Sequence, residues 1–241
     1  MKSILSKMRK ACEEYDLIQE NDKIAVGVSG GKDSLMLLTA LNNLKIFYPK
    51  KFEIIAIAVD LFDGKTNYDN LKKYCKNLQI ELKIVPSQIY QIVFETRKEG
   101  NPCSLCAKLR RGILNSSAKS FGCNKVALGH HKDDLVETFF LSMFFEGRLS
   151  TFKPKTYLSN TDLYVIRPMI FIDEKDINSL AKKMELPIIT NLCPADKHTQ
   201  RENIKTIIND IRKKIPISKD RIFGAITNPE RYNLFDKKSK D

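Results

Sequence analysis

KIAVGVSGGKDSLMLLTAL, residues 23–41, decides the fold. A short apolar run, Lys23–Ser29, ends in a pair of glycines, and an apolar helical stretch follows at once, from Ser34 to about Tyr48. A buried strand passing through a Gly-rich turn into a helix is the opening unit of a parallel α/β sheet. The turn suits an anion. Gly30 and Gly31 let the backbone approach closely, Ser29 and Ser34 offer hydroxyls, and Lys32 offers charge. The helix that follows aims its N–H groups at whatever lies before it. The loop is not of Walker A type, which needs glycine at 26 and Ser or Thr at 33, where this chain has Val26 and Asp33. Gly27 likewise lacks the downstream partners of a dinucleotide fingerprint.

Outward from this unit the alternation continues. FEIIAIAVD (52–60), ELKIVPS (81–87), KVALGH (125–130) and YVIRPM (164–169) read as further strands. Helical stretches separate them: NYDNLKKYCKNLQ, QIYQIVFETRK, the segment after Pro102, and residues 132–145. Nearly continuous apolar strands alternating with helices predict an α/β fold, a parallel five-stranded sheet with helices on both faces. Functional loops then belong at the C-terminal ends of the strands. Beyond Pro168 the pattern turns helical, first after Asp173 as N-cap and then in TQRENIKTIINDIRKKI. The expected organisation is an amphipathic N-terminal helix (1–22), an α/β domain carrying the Gly-rich loop (23–170), a helical C-terminal part (171–230) and a polar tail (231–241).

The chain's 41 Lys+Arg against 29 Asp+Glu leave a net charge of +12. That excess favours a polyanion, RNA or DNA before a membrane, because no basic amphipathic anchor stands out; a merely solvated basic surface is the alternative. No apolar run is long enough to span a bilayer, and the charged N-terminus is not a secretory signal, so the expected address is cytoplasmic.

Six cysteines are too scattered for a secreted disulfide scaffold. Cys12, Cys75 and Cys123 sit in helix- or turn-like contexts and read as passive. PCSLCAKLRRGIL (102–114) differs: Pro102 suits a helix start, and Cys103 and Cys106 project from one face of the first turn. The helix dipole and the nearby Arg110 and Arg111 favour thiolates there. Cys193 stands alone far downstream in ITNLCPADKH. Three thiolates plus His198 would close a structural zinc site, whereas three thiolates alone would hold a [4Fe-4S] cluster with one iron open. By spacing alone zinc stands slightly ahead. In GHHKDD, at the end of the fourth strand and so at the binding edge of the sheet, Gly129 permits a ligand's close approach. Asp133 and Asp134 could orient a base or hold Mg2+, and His130 and His131 are ligands, acid/base groups or structural caps. Asp60, ending the second strand, is a further candidate binding residue.

SGGKDS resembles the SGGxDS signature of the PP-loop ATP pyrophosphatases. Together with PCSLCAKLRRGIL, LGHHKDDLVETFFLSMFF, VIRPM and NLC followed by QR, it looks like the tRNA 2-thiocytidine synthetase family of TtcA type. The resemblance implies that ATP binds at Ser29, Gly30, Gly31, Lys32, Asp33 and Ser34. It implies that a base oxygen attacks the α-phosphate, that pyrophosphate leaves, and that sulfur then displaces AMP. It makes Cys103, Cys106 and Cys193 ligands of a [4Fe-4S] cluster, and an anticodon-loop cytidine (tRNA position 32) the acceptor of sulfur at C2. It favours Asp133 for a catalytic part and puts Arg110, where 2-thiouridine relatives carry a lysine, within reach of the α-phosphate. Arg111 contacts RNA phosphate or faces solvent. Two departures stand out: Thr190 replaces the first cysteine of a second CxxC, and Pro194 stands where glycine is common. The implied partners are tRNA and a sulfur donor, either a cysteine desulfurase or free sulfide; homodimerisation stays open. Two rivals remain: a 2-thiouridine- or lysidine-type PP-loop enzyme, and a zinc-stabilised RNA-binding module with a vestigial loop.

Overall fold

The computed structural model describes residues 1–97, 102–190, 192–193 and 200–232, arranged in two compact units. The first unit comprises Met1–Lys132 and Lys153–Asp196. Its sheet is built from β1 (Asp22–Gly27), β2 (Phe52–Val59), β3 (Glu81–Val85), β4 (Lys125–Ala127), β5 (Lys155–Leu158) and β6 (Leu163–Ile166), in the order β3-β2-β1-β4-β6-β5. All pairings are parallel except β5 with β6.

Because side chains alternate along a strand, the two faces of β1 and β2 can be read separately. Ala25, Ile55, Ile57 and Val126 pack on Leu114 and Ala118 of α4 (Pro102–Ser120). The intervening Ile24, Val26 and Ala56 are fully buried on the other face, where α2 (Lys32–Leu44) lies against β1 and β2. Helix α2 is buried almost all round, from Ser34 through Leu41, which is why its sequence is apolar on every side. Helix α1 (Lys2–Glu14) and helix α6 (Glu174–Lys183) pack beside α2, and α3 (Asp69–Asn77) packs on β3.

The sheet has six strands where the sequence reading expected five. The extra strand, β5, is a four-residue antiparallel edge joined to β6 by a tight turn in which Asp162 has a positive φ of 50°. Its stability comes from cross-strand contacts, chiefly the Tyr157–Tyr164 ring pair at 5.0 Å with Lys155 over Tyr164. Such a half-exposed edge has no apolar run to announce it. The helical stretch expected in QIYQIVFETRK is found over residues 89–96, where Gln91–Thr96 winds as a π-helix around buried Val93.

At the N-terminal end of the sheet, Lys125 and Asp22 form a buried ion pair at 2.6 Å. Lys125 also donates to the Leu17 carbonyl, and Asp22 accepts from the Asn124 side chain and the Gln19 amide. Burial is the largest influence on the Lys125 ammonium and lowers its pKa against the pull of Asp22. Lys125→Ala would leave Asp22 buried and partly unpaired. It is expected to cost about 3 kcal/mol in urea unfolding, against little change for a surface variant such as Lys72→Ala.

The second unit, Asp133–Phe152 with Lys197–Asp241, is helical. It contains most of α5 (Lys132–Glu146), α7 (Gln200–Lys214) and α8 (Ser218–Thr227). Val136 and Phe140 of α5 meet Ile204 and Ile208 of α7 in its core, with Ile222, Phe223 and Ile226 of α8 against them.

Candidate functional site

Strand order reverses beside β1: β2 and β3 follow on one side, β4 and β6 on the other. The loops leaving the C-terminal ends of β1 and β4 therefore emerge side by side, at the switch point where open α/β sheets bind ligands. The β1 loop is residues 28–31, and its hydroxyls brace it from within. Ser34 Oγ donates to the Gly31 carbonyl at 2.9 Å and accepts from the Ser29 amide at 3.1 Å. Ser29 Oγ lies 3.2 Å from Ser34 Oγ and accepts from the Gly31 amide at 3.4 Å. Gly30 has a φ of +83°, which only glycine adopts without strain. Gly31 caps α2, whose first-turn N–H groups face the loop.

Lys32 Nζ reaches Asp33 at 3.2 Å and Glu174 Oε1 at 2.9 Å. Burial, the largest single influence, lowers its pKa, but Asp33 and Glu174 together outweigh burial and hold it above the ordinary lysine value. The lysine is therefore fully charged at neutral pH. The β4 loop closes on the same helix: a Cβ at Gly129 would come within 3.0 Å of the Asp33 carbonyl carbon and oxygen. Gly129 is therefore packed against the start of α2, with no room for a side chain on that side. Buried His131 places Nε2 3.8 Å from Asp33 Oδ1, and His130 Nδ1 accepts from Arg167 Nε at 3.2 Å.

Asp60 lies one residue past the end of β2 and is buried. Its carboxylate gathers the following loop, accepting from the amides of Phe62 and Gly64 and from Tyr68 Oη.

Cys103 and Cys106 lie one turn apart at the start of α4, the first exposed and the second half-buried; Cys193, also half-buried, is in the same unit. Burial is the largest influence on the Cys106 thiol and pushes its pKa up. The Arg110 guanidinium pulls the other way, and Cys193 and Cys103 act electrostatically to raise it further. Cys103 and Cys106 share the first turn of α4 with Arg110 one turn on, and Cys193 lies in the same unit. The expectation that local charge makes Cys106 a ready thiolate is corrected: desolvation and two sulfur neighbours outweigh one guanidinium. None of the three is in a disulfide. Three soft sulfur donors suit iron–sulfur ligation, although among the described residues no three His, Cys, Asp or Glu side chains stand at metal-binding spacing. His198, the alternative zinc ligand, lies outside the described residues. Burial pushes Cys12 to about 12 and Cys75 to about 11, in keeping with passive roles. Arg111 lies back along its own helix, Nε donating to the Ala107 carbonyl.

In the second unit, Asp133 bonds Lys219 at 2.7 Å, while Asp134 and Glu137 share Arg201 at 3.0 and 3.1 Å. Both aspartates read as Mg2+ candidates are thus engaged by cations. Sequence reasoning missed Glu174, Ile189, Arg167 and Lys219. Each meets its partner across a large sequence separation, and no local spacing signals such a pairing.

The chain matches the PP-loop domain over residues 2–212. It is 40% identical to the tRNA-cytidine(32) 2-sulfurtransferase of Ralstonia pickettii, the match covering 96% of this chain and 74% of the relative. It is also 40% identical to the protein of the same name from Aliivibrio fischeri, covering 99% and 80%. Among solved structures it is similar to the U34-tRNA thiolase NcsA from Methanococcus maripaludis with its [4Fe-4S] cluster. The TM-score is 0.76 at 27% identity, over 98% of this chain and 80% of that one.

Proposed function

The chain belongs to the PP-loop domain family, together with the tRNA-cytidine(32) 2-sulfurtransferases, and on that premise we propose that it replaces the C2 oxygen of cytidine 32 in tRNA with sulfur, spending ATP and using a [4Fe-4S] cluster. That it is an enzyme of tRNA thiolation follows from the family. The observation that carries the finer reading is the electrostatic meeting of Cys106 with both Cys103 and Cys193, beside Arg110 and in the same unit as the phosphate loop. A purely nucleotide-binding PP-loop protein has no need of a CxxC pair with a third cysteine in the same unit.

The chemistry explains why both halves are needed. A ring carbonyl oxygen is a poor leaving group until it is adenylated. Attack of the C2 oxygen on the α-phosphate expels pyrophosphate; sulfur then adds at C2 and AMP departs. Lys32 and the N–H groups of α2 stabilise the charge growing on the pyrophosphate. Arg110 serves the α-phosphate; within the second unit, Asp133 is held by Lys219. Mg2+ enters with ATP as its complex. Cys103, Cys106 and Cys193 would hold the cluster, which would supply an iron able to bind sulfur.

The direct test is to incubate the purified protein anaerobically with unmodified tRNA, sulfide and ATP, then analyse the nucleosides by mass spectrometry. 2-Thiocytidine formed only with ATP is the expected product. 2-Thiouridine instead, or turnover without ATP, overturns the assignment.

The basic excess makes a second prediction. If the +12 charge serves tRNA, about six phosphate contacts would weaken binding roughly 10³-fold between 50 and 200 mM salt. The last turn of α7, Arg212, Lys213 and Lys214, is one place to look. Removing each phosphate-contacting residue should lower the log–log salt slope by about one. A flat salt response in fluorescence anisotropy would leave the charge as a solvated surface.

A further inference from the structure

The phosphate loop is gripped twice by one later stretch of chain. Helix α6 begins at Glu174, which bonds Lys32 at 2.9 Å, and the segment leaving α6 returns to the same loop at Ile189. The Ile189 amide donates to the Gly30 carbonyl at 2.9 Å. A Cβ placed on Gly30 would lie 2.8 Å from Ile189 Cβ and 2.9 Å from its Cδ1, so the isoleucine is seated directly on the glycine. Between these two grips the chain is firm. Leu186 is buried and its amide donates back to Ala181, while the Ile188 amide donates to the Leu186 carbonyl. Cys193 follows four residues after Ile189, within electrostatic reach of Cys106.

We propose that this double grip couples the ATP loop to the third cysteine. Glu174 pairs with Lys32; triphosphate takes Lys32 over, α6 and the segment leaving it readjust about Gly30, and Cys193 moves relative to Cys103 and Cys106. Glu174 and Ile189 are then positioning residues through which bound nucleotide shifts Cys193 relative to the other two thiols. The inference rests on the reading of residues 29–34 as the ATP loop.

The energetics permit the exchange. The Lys32–Glu174 pair is about a quarter exposed on each side, and pairs of that kind change an equilibrium by no more than about fivefold. A polyanion bearing several charges displaces one carboxylate readily. Once released, Glu174 keeps a favourable place in the first turn of α6, where the helix dipole suits a negative side chain. At Ile189 the contact is steric and backbone-directed, so movement of Gly30 is transmitted without a charge.

The test uses the full-length reduced chain without cluster and α,β-methylene ATP, which cannot be cleaved at the bond the reaction breaks. Binding is measured by calorimetry. The N-ethylmaleimide labelling rate of Cys193 is followed by mass spectrometry, with exposed Cys103 of the same molecule as reference. Saturating analogue should change the Cys193 rate by about fivefold relative to Cys103, the low end of ordinary coupling between sites. Glu174→Gln should bind the analogue about two- to fivefold more tightly and carry a Cys193 rate already shifted toward the bound value. Ile189→Ala should bind the analogue yet lose the response of Cys193, and Ile189→Val should restore it. An unchanged Cys193 rate in native protein with analogue demonstrably bound overturns the coupling, as does a full response in Ile189→Ala. Failure of the analogue to bind native protein overturns the loop assignment itself, and the coupling with it.

Discussion

Lys32→Ala is expected to slow conversion of ATP to AMP and pyrophosphate by about 10²–10³-fold, the loss found when one preorganised charge-stabilising donor is removed from a site. Lys32 is the cation of the phosphate loop; the other groups braced there are hydroxyls, amides and the Asp33 carboxylate. No neighbouring side chain in the loop can replace its charge on the leaving pyrophosphate. The fold should survive, because the ion pairs of Lys32 with Asp33 and Glu174 are partly exposed and contribute at most about 1 kcal/mol after solvent screening. Thermal unfolding separates the two effects, with a nearly native midpoint beside a collapsed rate. The pH dependence adds a check on sign. With its pKa raised in the fold, the ammonium contributes its stabilisation in full below the ordinary lysine value and loses it only as pH rises through the raised one. Activity should therefore show no loss attributable to Lys32 between pH 7 and 9. A variant that still releases pyrophosphate at the native rate would refute the loop assignment.

What could be read from residues alone followed the range of the interactions. The β1–loop–α2 unit was legible because apolar run, glycines, lysine and helix are contiguous, and each carries its physical reason locally. The family was legible because separate motifs fell in the right order. Edge strand β5 was not, since its four residues are held by pairing with Leu163–Ile166 and leave no apolar run. Gly129 was picked out as a close-approach glycine, yet its neighbour is the Asp33–Ser34 backbone, which only the side-by-side exit of β1 and β4 brings near. Cys106 shows the same limit in electrostatics. Arg110 one turn away was visible, but the burial and the approach of Cys193 that outweigh it are tertiary. Glu174 and Ile189 gave no signal at all, because a glutamate after an N-cap and an isoleucine after a proline are ordinary residues until the chain folds back on Gly30.

Cys193→Ser is expected to abolish thiolated nucleoside while leaving ATP binding and tRNA binding near native. Cys103 and Cys106 sit on one turn of α4 and can occupy only adjacent positions on a cluster; the third protein thiolate must come from elsewhere in the chain. Cys193 is the cysteine that Cys106 meets electrostatically beyond its own helix, whereas Cys12, Cys75 and Cys123 are buried. A serine hydroxyl is a harder and far less acidic ligand than a thiol and does not substitute for it on iron at neutral pH. Two thiolates leave the cluster open on two irons, so the variant reconstituted anaerobically should hold little iron or sulfide and lack the visible charge-transfer absorption of the native protein. The phosphate loop depends on Ser29, Ser34 and Lys32, none of which bonds to Cys193, so nucleotide affinity should fall little. Zinc predicts otherwise: a colourless native protein holding one zinc, and a fold that weakens when His198 is replaced. Iron and sulfide analysis of the native chain and of Cys193→Ser, with His198→Ala alongside, decides between them. Native protein that takes up zinc and no iron under reconstituting conditions would end the sulfurtransferase mechanism, because the adenylated cytidine would then have no iron-held sulfur to receive.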